Sequence, residues 1–115
     1  MNQRGELVEP TAESISAAAS GTIPADTRTS ITNADASGAY PIATFTWMII
    51  YKEQNYSDRS KEQATATLDL LQYILSDEAQ NITSEVHYAP LPAQAKELSL
   101  KNLKTVTYDG MPILQ

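Results

Sequence analysis

The stretch from Ala39 to Gln54, AYPIATFTWMIIYKEQ, sets the hydrophobic pattern of the whole chain. Ile42, Thr44 and Thr46 first interleave with Ala43, Phe45 and Trp47, as in a strand with one wet face. The run Trp47-Met48-Ile49-Ile50-Tyr51 then continues without a polar residue. Side chains alternate faces along a strand, so an unbroken apolar run predicts a strand, about Ile42 to Tyr51, covered on both sides. Elsewhere the period is helical. Thr11 to Ser20 reads as a short helix opened by Pro10 and Thr11 and stopped at Gly21. Ser60 and Gln63 have the spacing of a capping box. Beyond them, Ala64, Leu68, Leu71 and Leu75 fall on one helical face. Ser76-Asp77-Glu78 starts a further helix with a narrow stripe of Ala79, Ile82 and Val86, acids meeting the positive helix end. HYAPLP, residues 87–92, breaks that run. A last helix is expected over about 92–104, with Pro92 in its first turn. Its apolar residues Ala95, Leu98, Leu100 and Leu103 spread too widely for a single buried side. Short strands are allowed at Thr29–Thr32 and Thr105–Tyr108, the latter followed by an Asp109-Gly110 turn.

This is a mixed α/β order in which the helices can cover a sheet but the strands are too few to build one. A strand that needs cover on two faces and neighbours on two edges lacks its neighbours. With 115 residues and 42% hydrophobic content, the chain has the size of one modest domain with a real core. The net charge of −6 argues against a nucleic-acid surface, which needs clustered Lys and Arg. It leaves anion binding open, because backbone N–H groups and hydroxyls bind anions without net positive charge. The absence of cysteine excludes disulfides, zinc-thiolate sites and thiol nucleophiles. The N-terminus has no apolar core of signal-peptide length, and Trp47–Tyr51 is far too short to cross a bilayer.

Candidate chemistry is thin. His87 is the single histidine and, beside Tyr88 and two prolines, reads as a surface or capping residue rather than a base or ligand. Asp77 with Glu78, or Glu53 with Asp58, could be paired carboxylates, but a helix start and a solvated loop explain them better. The four glycines, Gly5, Gly21, Gly38 and Gly110, form no phosphate-cradling loop, and no Gly-x-Ser-x-Gly elbow occurs. Asn55-Tyr56-Ser57 and Asn81-Ile82-Thr83 match the glycosylation triplet, a pattern that arises often by chance. Tyr40, Phe45, Trp47 and Tyr51 fit packing better than a ligand-stacking wall. No cofactor, metal site or nucleophile–base pair is expected, and therefore no enzyme.

Four stretches taken together carry a resemblance. LVEPTAESISAAASG (7–21), AYPIATFTWMIIYKEQ (39–54), LLQYILSDEAQN (70–81) and HYAPLPAQAKELSLKNLKTV (87–106), in this order and spacing, resemble the C-terminal part of the phosphate-binding proteins of bacterial phosphate ABC transporters. The resemblance runs from about Leu7 to Leu114. It implies part of a type II periplasmic-binding-protein fold, with a strand and three helices completing one lobe of a two-lobed protein. Residues 1–39 would end the second lobe, 40–46 would cross between lobes, and 47–115 would complete the first. Tyr40, Pro41 and Ile42 would lie in the hinge, where proline narrows the freedom of the chain. The family's phosphate ligands come from its N-terminal portion. Arg28 and Ser37-Gly38 do not stand in the family's arrangement, so no phosphate-binding residue is assigned here.

The complete protein would capture inorganic phosphate outside the cytoplasm and dock on a membrane permease. This chain's partners would be its missing N-terminal portion or, in isolation, a strand-swapped copy of itself. The alternative is an independent protein-interaction domain that uses its exposed strand.

Overall fold

The computed structural model describes all 115 residues, Met1 to Gln115. The segments with local start signals form helices. Thr11 caps α1 (Ala12–Ala18), exchanging side-chain and backbone hydrogen bonds with Ser14. Ser60 and Gln63 form the expected capping box on α2 (Lys61–Ile74). Ser76 caps α3 (Asp77–Ile82), which tightens into a 3-10 turn over Thr83–Val86. In each case a hydroxyl satisfies an amide that has no partner within the helix. Pro92 stands one position before α4 (Ala93–Leu103) rather than inside it, because its extended ψ of 151° is not helical. In α4, Ala95 and Leu103 are buried and Leu98 and Leu100 half-buried, matching the wide spread of its apolar residues.

The chain closes in a minimal hairpin, β1 (Thr107–Tyr108) against β2 (Met111–Pro112). Its loop residues Asp109 and Gly110 both have positive φ, 53° and 74°. That geometry lets a two-residue loop follow strand twist, and an Asp-Gly pair supplies it at low cost.

Two small cores result. Near the N-terminus, Ala18, Ala19, Ile31, Ala39 and Ala43 pack together, with Tyr40 and Phe45 laid against them. In the C-terminal half, Leu68 and Leu71 of α2 meet Leu103 and Val106, with Ile50 alongside. The molecule is correspondingly long, 52 × 27 × 23 Å.

Both expected strands in the first half are missing from this architecture. Thr29–Thr32 lies beside residues 41–43, yet the one backbone–backbone bond there runs from the Asn33 N–H to the Pro41 carbonyl, at 2.8 Å. Pro41 has no N–H to return, and Asn33 turns the chain into positive φ, so no ladder can grow. Ile42–Tyr51 forms no regular element and pairs with no strand. The only neighbour with strand geometry is β1, and it reaches no further back than a single parallel bridge between Glu53 and Thr107. The chain is thus a small mixed helix and strand domain whose strands are confined to the terminal hairpin.

Replacing Leu68, fully buried in the second core, by Ala is expected to lower unfolding free energy by about 2–5 kcal/mol in urea titration. Leu70 on the same helix is 58% exposed, and its replacement by Ala should change stability by less than about 0.5 kcal/mol. Equal effects at the two positions would mean that α2 turns a different face to the core.

Candidate functional site

The segment Ile42–Tyr51 dominates the molecule's unfinished surface. None of its residues takes part in a backbone–backbone hydrogen bond. Ile42, Met48, Ile49 and Tyr51 are 74%, 58%, 94% and 70% exposed. No charged residue occurs between Ala36 and Tyr51. Backbone polar groups and apolar side chains therefore stand open together, a combination native proteins normally close by pairing and cover. A cleft of about 1460 Å³ borders the segment, walled by Ile42–Ile50 and, across from it, by Leu71, Val86, Leu91 and Ala95.

Both ends of the segment are tied down, each near a carboxylate. At its start, Glu6 accepts hydrogen bonds from the Asn2 side chain, the Gly38 N–H at 2.8 Å and the Ser37 hydroxyl at 3.1 Å. These bonds hold the Glu6 carboxyl below the ordinary range. Asn2, almost fully buried, also donates to the Ala39 carbonyl at 3.2 Å. Tyr40 N–H bonds to the Ser14 carbonyl, and the Thr32 hydroxyl reaches the Ala43 carbonyl.

At its end, Thr107 N–H bonds to the Lys52 carbonyl and Gln54 N–H to the Thr107 carbonyl, both at 2.8 Å. Glu53 sits between them. Its carboxylate accepts from the N–H groups of Asn55 at 2.9 Å, Asp109 at 3.0 Å and Gly110 at 3.0 Å, and from the Thr107 hydroxyl at 2.8 Å. The Asn55 and Gly110 amides lead in drawing its pKa down from 4.5 to about 2, because every one of these bonds favours the charged form. Gln54, 1% exposed, adds a side-chain bond to the Tyr51 carbonyl.

The sequence candidates scatter rather than converge. Tyr40 is half-buried against the N-terminal core and Pro41 is half-buried, while Ile42 is exposed. The aromatics form no single wall. Phe45 and Trp47 make an edge-on pair at 6.1 Å, and Tyr51 pairs edge-on with Tyr56 at 4.9 Å. His87 is exposed in a left-handed conformation that ends the 3-10 turn. Asp77 is ion-paired with Lys96, not with Glu78. Glu53 turns to the hairpin rather than to Asp58. Arg28 pairs with Asp26 at 2.9 Å on the open surface, and Ser37 and Gly38 are committed to Glu6. No group of three or more His, Cys, Asp or Glu side chains gathers as a metal would need. No helix is long and apolar enough to cross a membrane. The Glu6 and Glu53 clamps had no signature in the sequence, since their donors lie up to 32 and 57 positions away.

The segment is thus apolar, unpaired and anchored at both ends, and known proteins of greater length are similar to the chain in sequence. The phosphate-binding protein PstS of Xylella fastidiosa strain Temecula1 is 35% identical over 94 residues, covering 79% of this chain and 24% of the relative. PstS of Methanocaldococcus jannaschii is 28% identical over 114 residues, covering 91% of this chain and 29% of the relative. By sequence, the chain is PstS-like. It spans about a quarter of the length of the curated relatives it matches. No protein-family model matches the chain, and no solved structure matches it. The relatives bear the names of binding proteins, not of enzymes.

The Glu53 clamp has a definite pH signature. A carboxyl held at about 2 against 4.5 stabilises the folded form above the higher value and loses that contribution as pH falls through the lower. Protection of the Asp109 and Gly110 amides from hydrogen exchange should be full near pH 6 and decline below about pH 4.5. In Glu53→Gln, protection should be weaker throughout and lack this acid step. Identical profiles for both proteins would show that the carboxylate does not hold the hairpin.

Proposed function

We propose that this chain is the C-terminal portion of a two-lobed, PstS-like solute-binding protein that captures inorganic phosphate outside the cytoplasm for uptake by an ABC transporter. The observation that carries the reading is the segment Ile42–Tyr51, without a polar residue from Trp47 to Tyr51 and free of backbone pairing along its whole length. Such a strand belongs inside a sheet, and this chain, a quarter the length of its relatives, contains no sheet to receive it. The remaining strands come from the part of the protein that precedes this region. Their insertion would fill the cleft beside the segment and bury Met48 and Ile49.

In this arrangement residues 1–39 close the second lobe, 40–46 cross between lobes with Tyr40, Pro41 and Ile42 at the hinge, and 47–115 complete the first lobe as part of a type II periplasmic-binding-protein fold. Two separate small cores, the first of which takes in Ala43 of the crossing, support that division. The phosphate ligands lie outside this chain. Within it, Arg28 and the Ser37-Gly38 pair are engaged by Asp26 and Glu6. The chain's role is structural, and the complete protein delivers phosphate to its membrane permease.

Calorimetric titration of the 115-residue chain with phosphate, and with sulfate as control, should give only heats of dilution. Sulfate-resistant binding of phosphate would place the ligand site here and overturn the assignment. Light scattering after size exclusion should show species larger than the 12.6 kDa monomer, because the open strand edges pair with those of another copy. A clean monomer that instead captures a foreign strand-forming peptide would favour an independent interaction domain.

A further inference from the structure

Residues 1–43 and 52–115 have separate cores, and a single hydrogen bond joins the two bodies directly. Asn102, at the end of α4, donates its side-chain N–H to the Ala25 carbonyl at 3.0 Å. Two residues along the same turn, the Thr27 carbonyl accepts the indole N–H of Trp47 at 3.1 Å. Trp47 sits on the connecting segment, held edge-on against Phe45. Two side chains that approach from different parts of the chain thus bond to two carbonyls of one loop, those of Ala25 and Thr27.

The loop itself is shaped for this. Pro24 fixes its entry, and its carbonyl accepts the Thr27 N–H at 2.8 Å. Asp26 accepts from the Arg28 backbone N–H at 3.1 Å and from its guanidinium at 2.9 Å, which holds the turn shut. Thr27 has a φ of 60°. A β-branched residue is rarely found there, and the conformation persists only where surrounding bonds enforce it. Nothing in the N-terminal core needs these carbonyls; their partners belong to the connector and to the other body.

We propose that the Pro24–Arg28 turn is a latch that sets the angle between the two bodies of this chain, engaged by Asn102 and Trp47. Neutral hydrogen bonds on an exposed loop are individually weak, so the latch is suited to opening and closing. With it released, the connector between Ala43 and Lys52 carries no backbone bond to restrain the bodies. The latch depends on these contacts alone and stands whether or not the chain belongs to a phosphate-binding protein.

The chain has no cysteine, so nitroxide labels at Glu13→Cys in α1 and Asp69→Cys in α2 report the spacing of the bodies without background. Pulsed dipolar spectroscopy of this pair, at a dilution that keeps copies apart, should give one narrow distance distribution. Asn102→Asp sets a carboxylate against the Ala25 carbonyl and should broaden the distribution and shift it to longer distance. Trp47→Phe keeps the ring against Phe45 but removes the donor, and should broaden it as well. Circular dichroism checks that the helices survive. If Asn102→Asp loses helix content, the Trp47→Phe result decides. A distribution unchanged by a folded variant, or already broad in the parent chain, would overturn the latch.

Discussion

The requirement that backbone N–H and C=O groups find partners governs this molecule, because one segment cannot meet it internally. From Ile42 to Tyr51 the chain is uncharged and makes no backbone–backbone hydrogen bond. Water can satisfy the polar groups of an exposed strand, but only by wetting Met48, Ile49 and Tyr51 too. Relief requires strands on the edges and layers on the faces. The remaining elements are organised around that unmet need: α1 and its loops anchor the entry, the terminal hairpin anchors the exit, and α2–α4 supply one apolar wall.

Anchoring is polar at both ends. Glu6 and Glu53 each gather several donors from distant residues, and each replaces part of a hydrophobic contact that so short a body cannot build. The carboxylate at Glu53 also explains why a two-residue hairpin persists at all. Such a hairpin is marginal alone. Here its turn amides are bonded to an anion that also fixes the strand beside it.

What could be read from the sequence follows the range of the interaction concerned. The caps at Thr11, Ser60 and Ser76 depend on residues three positions away, and all three form as the spacing indicates. The Asp109-Gly110 turn is equally local. Ile42–Tyr51 was legible as an apolar segment seeking cover, but its pairing was not, since partners for a strand lie far away in sequence. Thr29–Thr32 failed as a strand because the neighbour it meets begins with a proline. Among site residues, the exposed position of His87 and the helix-start position of Asp77 were foreseeable, whereas the exposure of Trp47 and Tyr51, expected to pack, was not. The clamps of Glu6 and Glu53 were not, because an exposed glutamate looks the same whether it holds a loop or only water.

The absence of charge between Ala36 and Tyr51 has a thermodynamic consequence. Insertion of this strand into a sheet would release ordered water from apolar surface and form no ion pairs within the run. Its driving force should therefore be nearly entropic at room temperature, weaken in the cold and carry a negative heat-capacity change. Added sodium chloride should leave it almost untouched, since there is little charge to screen. Cold, rather than salt, is the condition under which this strand would come loose from a complete sheet.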